Sequence, residues 1–253
     1  MNDPHVVTLY YGIKHVKSVD YDNAPQLSHD HPEFIVTIQK DRAKVTMKSH
    51  FSSVEGARAK VEPLLRAWEL TAALQMGPRE FEFDYVGANV IDRTPPPGSI
   101  TSGAALMAVS TFAAEATHAR SKYPAPPPPG LTRDEAVDLM FARFCRYREG
   151  GTTLADAGNF CLTVLKHYSG GRRRAALRYA VAERVLRRLG ELTATKGGNE
   201  ARKAAGVTGR FTNAERCWIE ETMKRLVLRA AEVASDPSGI RQQITMADLP
   251  TLP

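Results

Sequence analysis

The chain has 253 residues, 43% of them hydrophobic and 25% charged, enough for one large or two small globular domains with buried cores. No apolar run approaches the roughly 20 residues of a membrane-spanning helix, MNDPHVV is not a secretory signal, and Cys145, Cys161 and Cys217 form no C-x-x-C pair. These features argue against a membrane span and a disulfide framework, and predict a cytoplasmic protein in a reducing compartment. The formal charge of +6 is unevenly spread: residues 1–125 hold 13 basic and 14 acidic residues, whereas residues 171–210 hold 11 and 3. A local excess of this kind speaks for an anionic partner more strongly than the total does.

Residues 6–13 (VVTLYYGI) are β-branched and aromatic and predict a strand. Residues 14–32 read as polar and irregular, broken by Asn23, Pro25 and Pro32. FIVTIQ (34–39) and AKVTMKSH (43–50) alternate in polarity. With Lys40, Asp41 and Arg42 between them they predict a hairpin, Phe34, Val36 and Ile38 on one face and Val45 and Met47 sharing a face of the second strand. A helix follows, opened by a capping box of Ser52 and Glu55, with Val54, Ala57, Val61, Leu64, Leu65, Trp68 and Ala72 as its stripe. Pro63 is expected to kink it or start a second helix. EFEFDYV (80–86) predicts another strand with Phe81, Phe83 and Tyr85 on one face, and ANVID (88–92) extends or pairs with it. Residues 104–123 suit either a helix or a strand, and the need for more than three strands to bury a sheet face favours the strand.

YPAPPPPG (123–130) is a stiff proline-rich segment and the expected linker between an α+β domain, residues 1–122, and a helical domain, residues 131–253. In the second half, Thr132 with Glu135, Thr153 with Asp156, and Thr212 with Glu215 each precede an apolar stripe at helical spacing. A third helix is expected to run unbroken from Arg172 to Leu192, with Leu177, Val181, Val185, Leu189 and Leu192 inward. The fold class is therefore α+β: a mostly antiparallel N-terminal sheet with one helix, then an all-α four-helix bundle. The tail ITMADLPTLP is apolar enough to dock on the body.

No P-loop, dinucleotide-binding glycine motif, H-E-x-x-H or G-x-S-x-G occurs. His29-Asp30-His31 has spacing for two metal ligands on an extended segment, yet no third ligand is in view, and it reads as a solvated loop. Glu80, Glu82 and Asp84 alternate with aromatics and read as the wet face of a strand rather than as paired acid/base groups. Cys161 lies in a helical stripe and Cys145 beside one, so both are expected buried, while Cys217 lies off its stripe. We expect no metal and no cofactor.

The functional signal is the basic span. On a continuous helix Arg172, Arg173 and Arg187 point away from the apolar stripe and Arg184 and Arg188 flank it, so these five can track phosphates. Arg174 and Arg178 point towards the stripe and are expected to snorkel. The following loop adds Lys196, Arg202, Lys203 and Arg210 around Gly197-Gly198, whose backbone can approach an anion closely. The alternative is a solvated face with arginines paired to Glu183, Glu191 or Glu200.

Two helix pairs with a basic polar loop before the last helix resemble the HEPN superfamily of helical domains. The segment GGNEARKAAG…FTNAERCWIEETMKRLVLRAAEV, followed by ITMADLP, is similar to the C-terminal part of bacterial proteins of the methylamine-utilisation MauJ type. The resemblance covers roughly residues 131–250. It implies a HEPN-like bundle. Catalytic members of that superfamily carry an Arg-x(4–6)-His motif that cleaves RNA, and no histidine of this chain has an arginine at that upstream spacing. No catalytic residue is carried over. The expected function is non-catalytic binding of RNA or another polyanion through the basic helix and loop. The alternatives are an accessory subunit of a metabolic or defence operon that holds a protein partner or a second copy of itself, and an enzyme with a divergent site between the two halves.

Overall fold

The computed structural model describes residues 2–94, 118–196 and 209–252. The fold is α+β, and the chain divides into two compact units, Met1–Pro127 and Pro128–Pro253.

The first unit is a five-stranded antiparallel sheet with one long helix against it. Its strands are β1 (Pro4–Lys14), β3 (Leu27–Asp30), β4 (Phe34–Gln39), β5 (Arg42–Met47) and β6 (Glu82–Asp92), in the order β3-β4-β5-β1-β6. A short β2 (Val19–Asp20) pairs in parallel with β7 (His118–Ala119). The predicted hairpin is β4-β5, and Phe34, Val36, Ile38 and Val45 are fully buried as their alternation requires. Lys40 and Asp41 take φ of 48° and 54° in its turn. Residues 14–32 are less irregular than their composition implies. Leu27–Asp30 pairs with β4 as an edge strand, because the hairpin offers it a row of unpaired backbone groups. ANVID continues β6 rather than pairing with it, through register shifts opposite Val6/Thr8 and Tyr10/Tyr11.

Helix α1 (Val54–Gln75) is capped by Ser53, whose hydroxyl accepts from Gly56 N at 3.1 Å, one residue beyond the expected Ser52. It passes Pro63 as a single helix. Ala59 and Pro63 both lie on the exposed face, so water can satisfy the carbonyl that the missing N–H leaves free. Ala57, Val61, Leu65, Trp68 and Ala72 join the sheet residues in one core. Glu69 is buried within it, accepting from Phe83 N at 2.8 Å and paired with Arg66, which fixes α1 against β6.

The proline-rich segment is partly built into this unit. Tyr123 is 2% exposed and stacks on Tyr21 at 4.9 Å, and the Trp68 indole donates to Pro124 O at 3.1 Å. Residues 104–117, read as a strand from sequence, lie outside the described residues.

The second unit contains α2 (Glu135–Arg148), α3 (Leu154–Ser169), α4 (Arg172–Arg178), α5 (Glu183–Thr195) and α6 (Asn213–Ser235), then a 3-10 turn at Met246–Asp248. Thr153 caps α3, and Thr212 with Glu215 forms a complete capping box on α6, both as predicted. The cap of α2 is Asp134, not Thr132, because its carboxylate accepts from Val137 N at 2.9 Å and also favours the positive helix end. Helix α3 touches each of the other four. Gly158 permits that close approach: a Cβ there would stand 2.9 Å from Thr193 Cγ2 of α5 and 3.1 Å from Ile219 Cγ2 of α6.

The helix expected over Arg172–Leu192 is broken. Helix α4 ends in a Schellman motif, with Val181 N donating to Ala176 O and Ala180 N to Leu177 O. Ala180 occupies the left-handed position, φ 44°, that glycine usually takes. Val181 then pairs in parallel with Ile244 of the tail: Ile244 N donates to Ala180 O and Ala182 N to Ile244 O, both at 2.8 Å. The break changes the phase of the two segments. Val181, Val185, Leu189 and Leu192 are buried as expected, whereas Leu177, expected inward, is 76% exposed.

Candidate functional site

Burial separates the charged residues of the second unit into those that hold the bundle together and those that face solvent. Arg229 of α6 is 9% exposed. Its Nη1 donates to Tyr179 O and Ala180 O, each at 3.0 Å, its Nη2 to Gln242 O at 2.9 Å, and Glu232 pairs with its Nε at 2.7 Å. It thereby satisfies carbonyls on both sides of the seam between the α4–α5 break and the tail. Charge-assisted bonds of this kind are about twice as strong as neutral ones. They offset the strain at Ala180, of order 1–3 kcal/mol for a left-handed non-glycine residue.

The tail beyond this seam is ordered by its own chemistry. Asp248 accepts from Thr245 N and Oγ1, both at 2.7 Å, and these donors hold its carboxyl below the usual range. Ile244 and Leu249 are buried. The docked tail stands beside α5 and forms with it a cleft of about 600 Å³. Arg184, Arg187 and Arg188, with Glu191, line one wall. Met246, Leu249, Pro250 and Leu252 line the other.

The nine cations singled out from the sequence have different fates. Arg184, Arg187 and Arg188 converge on the cleft. Arg188 lies 3.5 Å from Glu191, and among the described residues Arg184 and Arg187 have no acidic partner. Arg172 is half-buried against α5, its Nη2 at 3.2 Å from where a Cβ on Gly190 would be. Arg173 and Arg210 are exposed. Lys196 is committed elsewhere: its ammonium meets Glu215 Oε1 at 2.6 Å, and the Glu215 side chain is only 4% exposed. Burial alone would raise that carboxyl, but Lys196 and the Thr212 donors outweigh it and hold Glu215 below its ordinary value. Arg202 and Lys203 lie outside the described residues. Of the two arginines expected to snorkel, Arg178 donates to Tyr168 O at 2.6 Å, and Arg174 reaches back over Gly170.

The apolar wall escaped the residue-type reasoning, although its signal was present. Thr245-x-x-Asp248 repeats the signature that opened the bundle helices, and it marks the tail as structured.

The other groups noted in sequence are packed, ion-paired or solvent-exposed. The His29 ring meets Trp68 edge-on at 5.9 Å, and His31 stacks on Phe34 at 4.2 Å. Glu80 pairs with Arg120, and Asp84 with Lys14 at 2.9 Å. The Glu82 carboxyl is raised by burial and then by the nearby Glu69 charge. Glu80 precedes β6, Glu82 and Asp84 lie on it, and the three acids have separate surroundings. Cys161 is buried, which pushes its thiol up to about 12 and makes it inert. Cys145 is half-buried and Cys217 exposed. No described helix is long and apolar enough to cross a membrane. No family model, curated protein or solved structure matches the chain.

Proposed function

We propose that the second unit is a HEPN-like bundle that binds RNA or another polyanion without cleaving it, in the cytoplasm, and that the α5–tail cleft is the centre of its binding surface. The observation that carries the reading is the convergence of Arg184, Arg187 and Arg188 on one cleft, two of them without an acidic partner among the described residues. Arginine forks present paired donors at the geometry of phosphate oxygens. Arg173 and Arg210 are also exposed, outside the lining of the cleft. Lys196 and Arg172 are left out of it, because one neutralises a buried carboxylate and the other packs between helices.

The test is binding of a short single-stranded RNA across a salt series. Three phosphate contacts predict a slope of log affinity against log salt of about −2. Absence of binding at low salt, or affinity insensitive to salt, rules the reading out.

The protein-partner reading has one specific observation in its favour, Leu177 standing 76% exposed on α4. The tail, through Ile244 and Leu249, is docked on its own bundle.

A further inference from the structure

We infer that the α5–tail cleft is a pocket for a terminal phosphomonoester on a largely apolar or heterocyclic group, of nucleotide size, rather than a track for an internal phosphodiester chain. This rests on the polyanion reading of the same arginines and makes it more specific.

Three observations point there. The first is shape. Residues 246–252 stand as a wall along the arginine face, held by the Val181–Ile244 pairing and the burial of Leu249. A duplex backbone needs an open, continuous positive face, and this wall interrupts it. The half-open cleft of about 600 Å³ falls among volumes that accept small ligands, about 300–1,000 Å³.

The second is charge. Three guanidinium groups and the Glu191 carboxylate share the cleft, leaving an excess of two positive charges. A phosphomonoester carries about −1.5 to −2 at neutral pH, with its second ionisation near pH 6. A single internal phosphodiester carries half as much and would leave the excess uncompensated.

The third is the mixed lining. Met246, Leu249, Pro250 and Leu252 oppose the arginines. A sugar phosphate, polar all round, has nothing to set against them. A nucleobase has an apolar face for that wall, and guanidinium planes also stack on bases.

The inference is tested on the full chain by titration calorimetry with AMP, adenosine and inorganic phosphate. A pair of otherwise identical single-stranded RNAs, one 5′-phosphorylated and one 5′-hydroxyl, completes the set. AMP should bind at least tenfold more tightly than either adenosine or phosphate, and should weaken as pH falls through about 6. The Arg184→Ala/Arg187→Ala variant, at two solvent-facing positions, should keep its melting temperature and lose at least tenfold in AMP affinity. A preference for 5′-phosphorylated RNA places the group on an RNA end, and equal RNA affinities with tight AMP binding place it on a free nucleotide. Salt-dependent binding of both RNAs without AMP binding overturns this inference and leaves the polyanion reading standing. AMP binding that survives the double substitution overturns the assignment to this cleft. No binding of any probe at low salt removes both.

Discussion

The second unit uses arginine in two opposite ways, a short distance apart. Arg229 is buried, and every bond it makes is to its own chain: three backbone carbonyls and Glu232. Arg184 and Arg187 line a cleft with no acidic partner among the described residues. The first arrangement stabilises a backbone seam that would otherwise leave carbonyls unsatisfied. The second leaves donors available for a ligand. The contrast shows why a count of basic residues is a poor guide to a binding surface. Lys196 contributes to the basic span of residues 171–210 and not to the cleft, because Glu215 already neutralises it.

Breaking the structural side of the contrast should have the largest effect. Arg229→Met keeps the volume and removes the donors, leaving the buried Tyr179 carbonyl unsatisfied and the part-buried Gln242 carbonyl without its donor, at about 1–3 kcal/mol each, while Ala180 O keeps the Ile244 N–H. A loss of at least about 2 kcal/mol is expected, read by denaturant unfolding. Hydrogen exchange should show residues 179–182 and 242–252 opening first. Unchanged protection of the tail would mean that Arg229 does not hold it.

Lys196→Met should cost about 1–3 kcal/mol by leaving Glu215 buried and unpaired. Its pH dependence is the sharper reading. Because Glu215 is held below its ordinary 4.5 in the fold, its stabilisation is present at neutral pH and lost as pH falls from there through the lower folded value. The variant should be less stable at pH 7 and show a shallower acid loss than the parent.

Gly158→Ala tests packing that involves neither group of arginines. A Cβ at 2.9 Å from Thr193 Cγ2 and 3.1 Å from Ile219 Cγ2 forces α3 away from α5 and α6, at about 1–3 kcal/mol. The cleft should still bind its ligand below the new melting point.

The smallest effect on stability belongs to the open side. Arg184→Ala with Arg187→Ala should change unfolding free energy by no more than about 0.5 kcal/mol per site. The salt slope of RNA binding should become shallower by about 1.4, the share of two phosphate contacts on a single strand. A large stability loss here would move these arginines into the same class as Arg229.

Much of this fold was legible locally. The β4-β5 hairpin, the stripe of α1, and the caps at Thr153 and Thr212 follow from alternation, helical spacing and short-range hydrogen bonding, which act within a few residues. The candidate site was legible only in part. Arg184, Arg187 and Arg188 lie within about one helical turn, were among the nine cations singled out from sequence, and share one cleft. The exclusion of Arg172 and Lys196, and the apolar wall opposite, depend on contacts across the unit.

The α4–α5 break marks the limit most clearly. Tyr179-Ala180-Val181-Ala182 contains no glycine or proline, and its composition favours a continuous helix. What turns the chain there is Arg229, 50 and 49 residues away in sequence from the carbonyls it holds, together with the pairing of Val181 with Ile244. The sequence by itself determined the starts of α1, α2, α3 and α6 to within two residues, most of their apolar faces and where positive charge accumulates, since each is a matter of neighbouring residues. Tertiary structure alone decided where the basic helix ends and which cations remain free, because those depend on hydrogen bonds and burial between segments far apart in the chain.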